Sequence, residues 1–242
     1  MKTLLLACAA ALVLAWQAVP GTRAHETGTE PKTGVEAETG IEGPADDYVY
    51  ELAAPGTYSL PAIRPATNAR LVDDTGADRE LARLFEGRIT LLAFIYTRCG
   101  DICPVATLRM ADLQRLAARM PAVAGTFQLV SLSFDPAYDT PARLADYARH
   151  MRADTGTAPP WTFLTARSTD AIAPVLKAYD QPVARKPGGE DATGPFSHLL
   201  RVFLIDRDGM IRNIYSADFL DPRLVLNDVR TLLAPAPGTP SQ

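Results

Sequence analysis

The chain has 242 residues, of which 47% are hydrophobic and 21% are charged, a composition typical of a globular protein with one sizeable core. Its formal net charge is −4, which argues against nucleic acid as a partner.

Residues 1–24 are typical of a secretory signal peptide. Lys2 supplies the positive charge, Leu4–Val19 is apolar, and Thr22–Ala24 contains a cleavage site of small residues. The apolar stretch is shorter than the ~20 residues of a spanning helix, so we expect cleavage and export. The alternative is that this segment stays as an anchor, in which case it is the protein's membrane contact. Cys8 lies inside the segment and leaves with it.

An acidic low-complexity linker is expected over residues 25–47, where a Thr-Gly-x-Glu unit repeats every six residues. His25 is either a solvated linker residue or, as the first residue of the mature chain, a chelator of Cu(II). We expect the folded domain over residues 48–233 and a frayed tail over 234–242.

The first half of the domain contains an apolar run, Ile89–Tyr96, with the length and residue types of a buried strand. Before it we expect short strands at Tyr58–Leu60 and Arg70–Val72 and a short helix at Glu80–Phe85. After the cysteines, a helical period places one apolar face on Ala106, Met110, Leu113, Ala117 and Met120.

The second half continues with alternating strands and helices, and ends in a hairpin and a helix. We expect strands at Phe127–Phe134 and Trp161–Thr165, helices at Pro141–Met151 and Thr169–Tyr179, and a surface excursion or hairpin at Asp180–Pro195. A hairpin of Leu199–Asp206 with Ile211–Tyr215 and a helix at Pro222–Leu233 follow. This order predicts an α/β, thioredoxin-like fold with a central β-sheet flanked by helices.

The stretch Thr97–Pro104 places Cys99 and Cys103 where the buried strand meets a helix N-terminus. The helix dipole and unpaired backbone N–H groups favour a thiolate there, and Pro104 suits the first turn. The alternative is a purely structural disulfide. A loop this small gives only about 2 kcal/mol of stabilisation, so that alternative is the weaker one.

Three motifs, in order, are similar to those of the Sco/SenC family of copper proteins, which assist assembly of the copper site of cytochrome oxidase. They are Tyr96–Pro104, Ser133–Pro141, and Ser197–Leu200 leading into Phe203–Asp206. The resemblance covers roughly residues 50–233. It implies a thioredoxin-like fold and a copper-binding metallochaperone, and it leaves thiol-disulfide reductase activity open. With the signal segment, we expect a periplasmic protein, the alternative being one anchored to the inner membrane and facing the periplasm.

The resemblance also implies that Cys99, Cys103 and His198 bind the metal. Two thiolates suit Cu(I), and an imidazole lets the same site hold Cu(II). The implied partner is a copper-receiving subunit of cytochrome c oxidase or another periplasmic copper chaperone. Gly100 is a departure, since the family usually has proline there. Asp135 and Asp139 either set the turn and cap the next helix or orient a ligand.

Two other functions compete with the metallochaperone. In a thiol-disulfide oxidoreductase, Cys99 attacks and Cys103 resolves, reducing the cysteines of a copper-receiving partner. A thiol peroxidase shares the predicted fold, but Pro104 follows the second cysteine instead of lining the first. His198 discriminates best between the metallochaperone and the oxidoreductase, because disulfide exchange has no need of an imidazole.

Overall fold

The computed structural model of the protein describes residues 50–153, 156–216 and 220–235. The strands are β1 (Arg64–Pro65), β2 (Arg70–Asp73), β3 (Asp78–Glu80), β4 (Ile89–Ile95), β5 (Phe127–Ser133), β6 (Trp161–Thr165), β7 (Val183–Arg185), β8 (Phe196–His198), β9 (Arg201–Ile205) and β10 (Met210–Ser216). The helices are α1 (Leu81–Phe85), α2 (Ile102–Ala118), α3 (Pro121–Ala124), α4 (Pro141–Met151), α5 (Thr169–Ala178) and α6 (Pro222–Leu233).

The main sheet has the strand order β1-β10-β9-β4-β5-β6-β2-β3, and β7 pairs with β8 in a separate hairpin. At its centre, β4 runs parallel to β5, and β5 runs parallel to β6. Every residue of β4 and β5 is buried, as expected for central parallel strands covered on both faces. Because β4 and β5 are parallel, the residues that follow them, including the cysteines and Asp135, emerge at one edge of the sheet.

Helix α2 packs against α3, α4, α6 and β5, and its predicted apolar face is buried from Ala106 to Ala117. The helix ends at Ala118, so the prediction that its pattern continues to Met120 was wrong. Met120 has φ −121° and ψ 87° and precedes Pro121, which begins the short helix α3. A residue before proline is disfavoured in the helical region, which explains the break.

The predicted strand at Tyr58–Leu60 was also wrong, because this segment pairs with no other strand. Its polar groups bond to side chains instead. The Tyr58 hydroxyl donates to Asp228 at 2.6 Å, and the Leu60 carbonyl accepts from Arg212 at 2.6 Å. Strands β1 and β3 and helix α3 were not predicted, since each is only two to four residues long.

The remaining predicted elements agree with the structure to within a few residues at their ends. The predicted signal peptide 1–24, the linker 25–47 with His25, and residues 236–242 of the predicted tail lie outside the described residues. Within the described part of the chain, no helix has both the length and the apolar character needed to cross a membrane.

Candidate metal centre

The two cysteines lie on either side of the start of α2. We call residues 96–101, between β4 and α2, the cysteine loop. Cys99 lies in this loop, where its backbone N–H donates to the Tyr96 carbonyl at 3.3 Å, and Cys103 lies in the first turn of α2. Cys99 is 7% exposed, whereas Cys103 is completely buried. Neither cysteine forms a disulfide in this structure.

His198 reaches the cysteines from a distant part of the chain. It is the last residue of β8, and it pairs with Val183 across the β7–β8 hairpin. Its Nε2 lies 3.4 Å from the Cys103 Sγ, and one ligand atom from each of Cys99, Cys103 and His198 lies within 4.8 Å of the others. Among the described residues, no other group of three His, Cys, Asp or Glu side chains has metal-binding geometry.

Aromatic rings surround the imidazole. The His198 ring lies 5.1 Å from the Phe134 ring and 5.5 Å, edge to face, from the Tyr96 ring. Phe196, two residues before the histidine, contacts both of these rings at 5.3 and 5.7 Å. These contacts restrict the rotation of the imidazole and exclude water from its inner side. Their role was missed from the sequence, although Tyr96 and Phe134 both directly follow central strands.

The two thiols share one proton in a coupled pair. A hydrogen bond from the Cys103 thiol lowers the pKa of Cys99 and outweighs the opposing effect of burial. His198 and the backbone N–H groups of Asp101 and Cys103 lower that pKa further. The same pairing, together with burial, raises the pKa of Cys103. These opposite shifts favour the thiolate on Cys99 and the neutral thiol on Cys103.

Asp139 is completely buried and fastens the start of the cysteine loop to β5. Its carboxylate accepts hydrogen bonds from the Thr97 backbone N–H at 3.0 Å, from the Thr97 hydroxyl, and from the Ser133 hydroxyl at 2.5 Å. Burial raises the pKa of Asp139, against the lowering effect of these bonds. The helix cap of α4 is Thr140, whose hydroxyl accepts from the Arg143 backbone N–H at 3.4 Å.

Asp135 sets the turn after β5 and also holds the cysteine loop. Its carbonyl accepts from the backbone N–H groups of Tyr138 and Asp139 at 3.0 and 2.8 Å. Its carboxylate, in a side chain 2% exposed, pairs with the Arg98 guanidinium at 2.9 Å. Both carboxylates thus contact residues just before Cys99, and neither belongs to the group of three ligand atoms.

Residues 66–234 match the family model described as SCO1/SenC, which is more than half of the chain. The chain belongs to the SCO1/SenC family. The predicted family membership is therefore confirmed.

Among SCO1/SenC relatives, the chain is 30% identical over 131 residues to the SCO1 protein homolog of Bacillus subtilis (strain 168), covering 54% of this chain and 63% of that protein. It is 29% identical over 132 residues to the mitochondrial SCO2 homolog of Bos taurus, covering 54% of this chain and 47% of that one. The matches thus span less than two thirds of either relative's length.

Solved SCO1/SenC structures share the fold. Arabidopsis thaliana ScoI with copper bound has a TM-score of 0.59 at 21% identity, covering 69% of this chain and 97% of that one. BsSco, a member of the Sco family of cytochrome c oxidase assembly proteins in which a disulfide switch was identified, has a TM-score of 0.58 at 24% identity, covering 73% and 98%. The predicted thioredoxin-like α/β fold is therefore confirmed.

Proposed function

We propose that this SCO1/SenC protein is a copper-binding metallochaperone that serves assembly of the cytochrome c oxidase copper site. The observation that carries the proposal is the convergence of Cys99, Cys103 and His198 ligand atoms within 4.8 Å, although His198 is 95 residues from Cys103. Family membership and the copper-bound relatives support the choice of copper.

The donor set suits copper in both oxidation states. Thiolates are soft ligands that favour Cu(I), and the imidazole supplies the nitrogen that Cu(II) prefers. Three protein ligands leave a coordination position for a ligand from the receiving protein. His198 is partly exposed, whereas both cysteines are buried, so a partner would approach the site from the histidine side. Such a site is suited to passing its metal on.

The experiment is a copper titration of the reduced protein and its ligand variants, under anaerobic conditions for Cu(I). Cys99→Ser or Cys103→Ser is expected to abolish tight binding of both oxidation states, because each removes a thiolate. His198→Ala is expected to weaken Cu(II) strongly and Cu(I) much less. His150→Ala is the matched control, since His150 is exposed on α4. Equal Cu(II) binding by His198→Ala and wild type would contradict the proposal.

A second candidate function is thiol-disulfide exchange with a copper-receiving partner. The observation that favours it is the difference between the two cysteines: Cys99 is the more exposed and its pKa is lowered, whereas Cys103 is completely buried. The Cys99 thiolate would attack the partner's disulfide and release one partner thiolate. Cys103 would then pass its proton to the released partner thiolate, attack the Cys99 sulfur and release the second partner thiolate, so that two electrons and one proton pass to the partner.

Disulfide exchange by His198→Ala separates the two functions. Exchange needs the two cysteines and access to Cys99, so this variant is expected to keep a reversible disulfide, with its potential shifted because one of the contacts that lower the Cys99 pKa is lost. The receiving protein would be a copper-receiving subunit of cytochrome c oxidase or another periplasmic copper chaperone. The signal-like residues 1–24 support export to the periplasm.

A further inference from the structure

The β7–β8 hairpin that carries His198 ends in a turn with its own internal bonds. We call residues 186–195, between β7 and β8, the hairpin tip. Lys186 Nζ pairs with the Asp191 carboxylate at 2.6 Å and also donates to the Thr193 hydroxyl. The backbone N–H of Thr193 donates to Asp191 Oδ1 at 2.9 Å, and the N–H of Gly194 donates to the Asp191 carbonyl at 3.0 Å. The tip is therefore braced and tends to move as one piece.

The tip lies directly on the cysteine loop. The Tyr96 hydroxyl donates to the Thr193 carbonyl at 2.9 Å. The Arg98 guanidinium pairs with Glu190 at 2.9 Å while it also pairs with the buried Asp135. Arg98 thus connects the end of β5, the cysteine loop and the tip.

Gly100 is a point of close approach between the two segments. A Cβ at this position would lie 2.2 Å from the Ala192 carbonyl oxygen, a distance that real Cβ contacts essentially never show. The obstructing atom belongs to the backbone, so a side-chain rotation cannot relieve the clash. An alanine at position 100 would displace the Ala192 carbonyl by at least about 0.8 Å to reach even a 3.0 Å contact.

We propose that Gly100 is a positioning residue for the ligand set: its missing Cβ lets the hairpin tip seat on the cysteine loop, and this seating holds His198 against Cys103. Only a few residues separate the contact of the tip with the cysteine loop from His198. Gly194 ends the turn, Phe196 packs on Tyr96, and His198 follows at the end of β8. This inference rests on the proposed copper function, which it deepens.

Contact of the hairpin tip with the cysteine loop determines which oxidation state of copper the site favours. When the tip is seated, the imidazole lies 3.4 Å from Cys103 and completes the set that Cu(II) requires. When the tip lifts, the two thiolates remain four residues apart on the cysteine loop and α2, and they still suit Cu(I). Gly100 therefore favours Cu(II) binding without contacting the metal.

The test compares Gly100→Ala with Gly188→Ala. Gly188 lies in the same tip, and an added Cβ there meets no atom within 4 Å, so it controls for the change of residue type. In metal-free protein, amide hydrogen exchange across 183–198 is expected to rise about tenfold or more in Gly100→Ala and to stay at the wild-type rate in Gly188→Ala.

The same variants are then titrated with copper. Gly100→Ala is expected to weaken Cu(II) binding by about 10- to 100-fold and to alter its visible spectrum, while Cu(I) affinity changes by less than about threefold. The proposal would be overturned if Gly100→Ala showed the wild-type amide hydrogen exchange rate and the wild-type Cu(II) spectrum. Equal effects of Gly100→Ala and Gly188→Ala would also overturn it. Faster exchange with an unchanged Cu(II) spectrum would show that seating does not position His198, which also overturns it.

If Gly100→Ala does not fold, Glu190→Gln tests whether the hairpin tip is held on the cysteine loop. Glu190 has a side chain 54% exposed, and its substitution removes the ion pair with Arg98 without adding a group. Exchange in the hairpin is expected to rise about two- to fivefold, and an unchanged rate would overturn the proposal. If the wild-type protein binds no copper, the proposed function fails, whereas the exchange measurement still tests the seating of the tip.

Discussion

The substitution Asp139→Ala removes the buried acceptor that ties the cysteine loop to the end of β5. In the native protein its carboxylate accepts from the Thr97 backbone N–H at 3.0 Å, from the Thr97 hydroxyl, and from the Ser133 hydroxyl at 2.5 Å. With alanine at position 139, the Thr97 backbone N–H has no acceptor where the Asp139 carboxylate was. The two hydroxyls can rotate, so their loss is smaller.

The expected cost follows from these three bonds. An unsatisfied buried donor costs about 1–3 kcal/mol, and two hydroxyls that lose a charged acceptor add about 1–2 kcal/mol together. Removal of the carboxylate also relieves the burial penalty that raises the pKa of Asp139, which offsets part of the loss. The net destabilisation is therefore about 3 kcal/mol. Asp139→Asn retains an acceptor for Thr97, so we expect about 1 kcal/mol for it.

The assay is urea unfolding of the reduced, metal-free protein at neutral pH. Asp146→Ala is the matched control, because Asp146 is a carboxylate on α4 whose side chain is 70% exposed and forms only a surface ion pair with Arg149. We expect a change below about 0.5 kcal/mol for this control. A loss below about 1 kcal/mol for Asp139→Ala, or an equal loss for Asp139→Asn, would refute the reasoning.

Three further predictions concern acid stability, a buried carboxylate and the redox state. Burial alone would raise the pKa of Asp73, but hydrogen bonds from Thr75, Arg79 and Ala77 outweigh it and lower that pKa to about 2. The folded protein is therefore expected to lose about 2 kcal/mol of stability as the pH falls from about 4 to 2. Urea midpoints are expected to depend less on pH in this range in Asp73→Asn, and equal slopes would contradict the assignment. Tyr215→Phe removes a 2.6 Å hydrogen bond to the buried Asp228 and is expected to cost about 2 kcal/mol in the same assay, with a loss under about 0.5 kcal/mol as the contrary result. Oxidation of Cys99 and Cys103 to a disulfide is expected to abolish Cu(I) binding in a competition titration, and undiminished binding would exclude the cysteines as ligands.

The sequence predicts the elements that carry strong local signals. Strand β4 is a largely apolar run and β5 a mixed run with apolar residues at four of its seven positions, and both are buried over their whole length. Thr140 and Pro141 begin α4, with the Thr140 hydroxyl as its cap, as a capping residue followed by proline indicates. Asp208-Gly209 forms the expected turn between β9 and β10. In each case neighbouring residues determine the structure.

The sequence fails where a segment's partners are far away in the chain. Residues 58–60 have an extended pattern, but the Tyr58 hydroxyl binds Asp228, 170 residues later, and no strand forms. The packing of Gly100 on Ala192 is likewise invisible to a local pattern, because it depends on how the hairpin folds over the cysteine loop. The aromatic rings around His198 come from three separate elements for the same reason.

The candidate site was predicted from residue type and resemblance, and its geometry comes from the fold. Two cysteines at a helix start and one histidine before a strand are recognisable in the sequence. The approach of His198 to Cys103 depends on the β7–β8 hairpin, for which the sequence predicts a surface excursion or hairpin at Asp180–Pro195 but not the strand that ends at His198. The part played by Asp135 and Asp139 in fastening Arg98 and Thr97 required the structure.

X-ray absorption spectroscopy of the copper-loaded protein tests the central claim most directly, since it reports the atoms bound to the metal. We expect two sulfur neighbours and one imidazole nitrogen from the protein in the Cu(II) form. The imidazole contribution is expected to disappear in His198→Ala loaded with excess Cu(II). A copper shell of nitrogen and oxygen alone, or a spectrum identical in wild type and His198→Ala, would contradict copper binding by Cys99, Cys103 and His198.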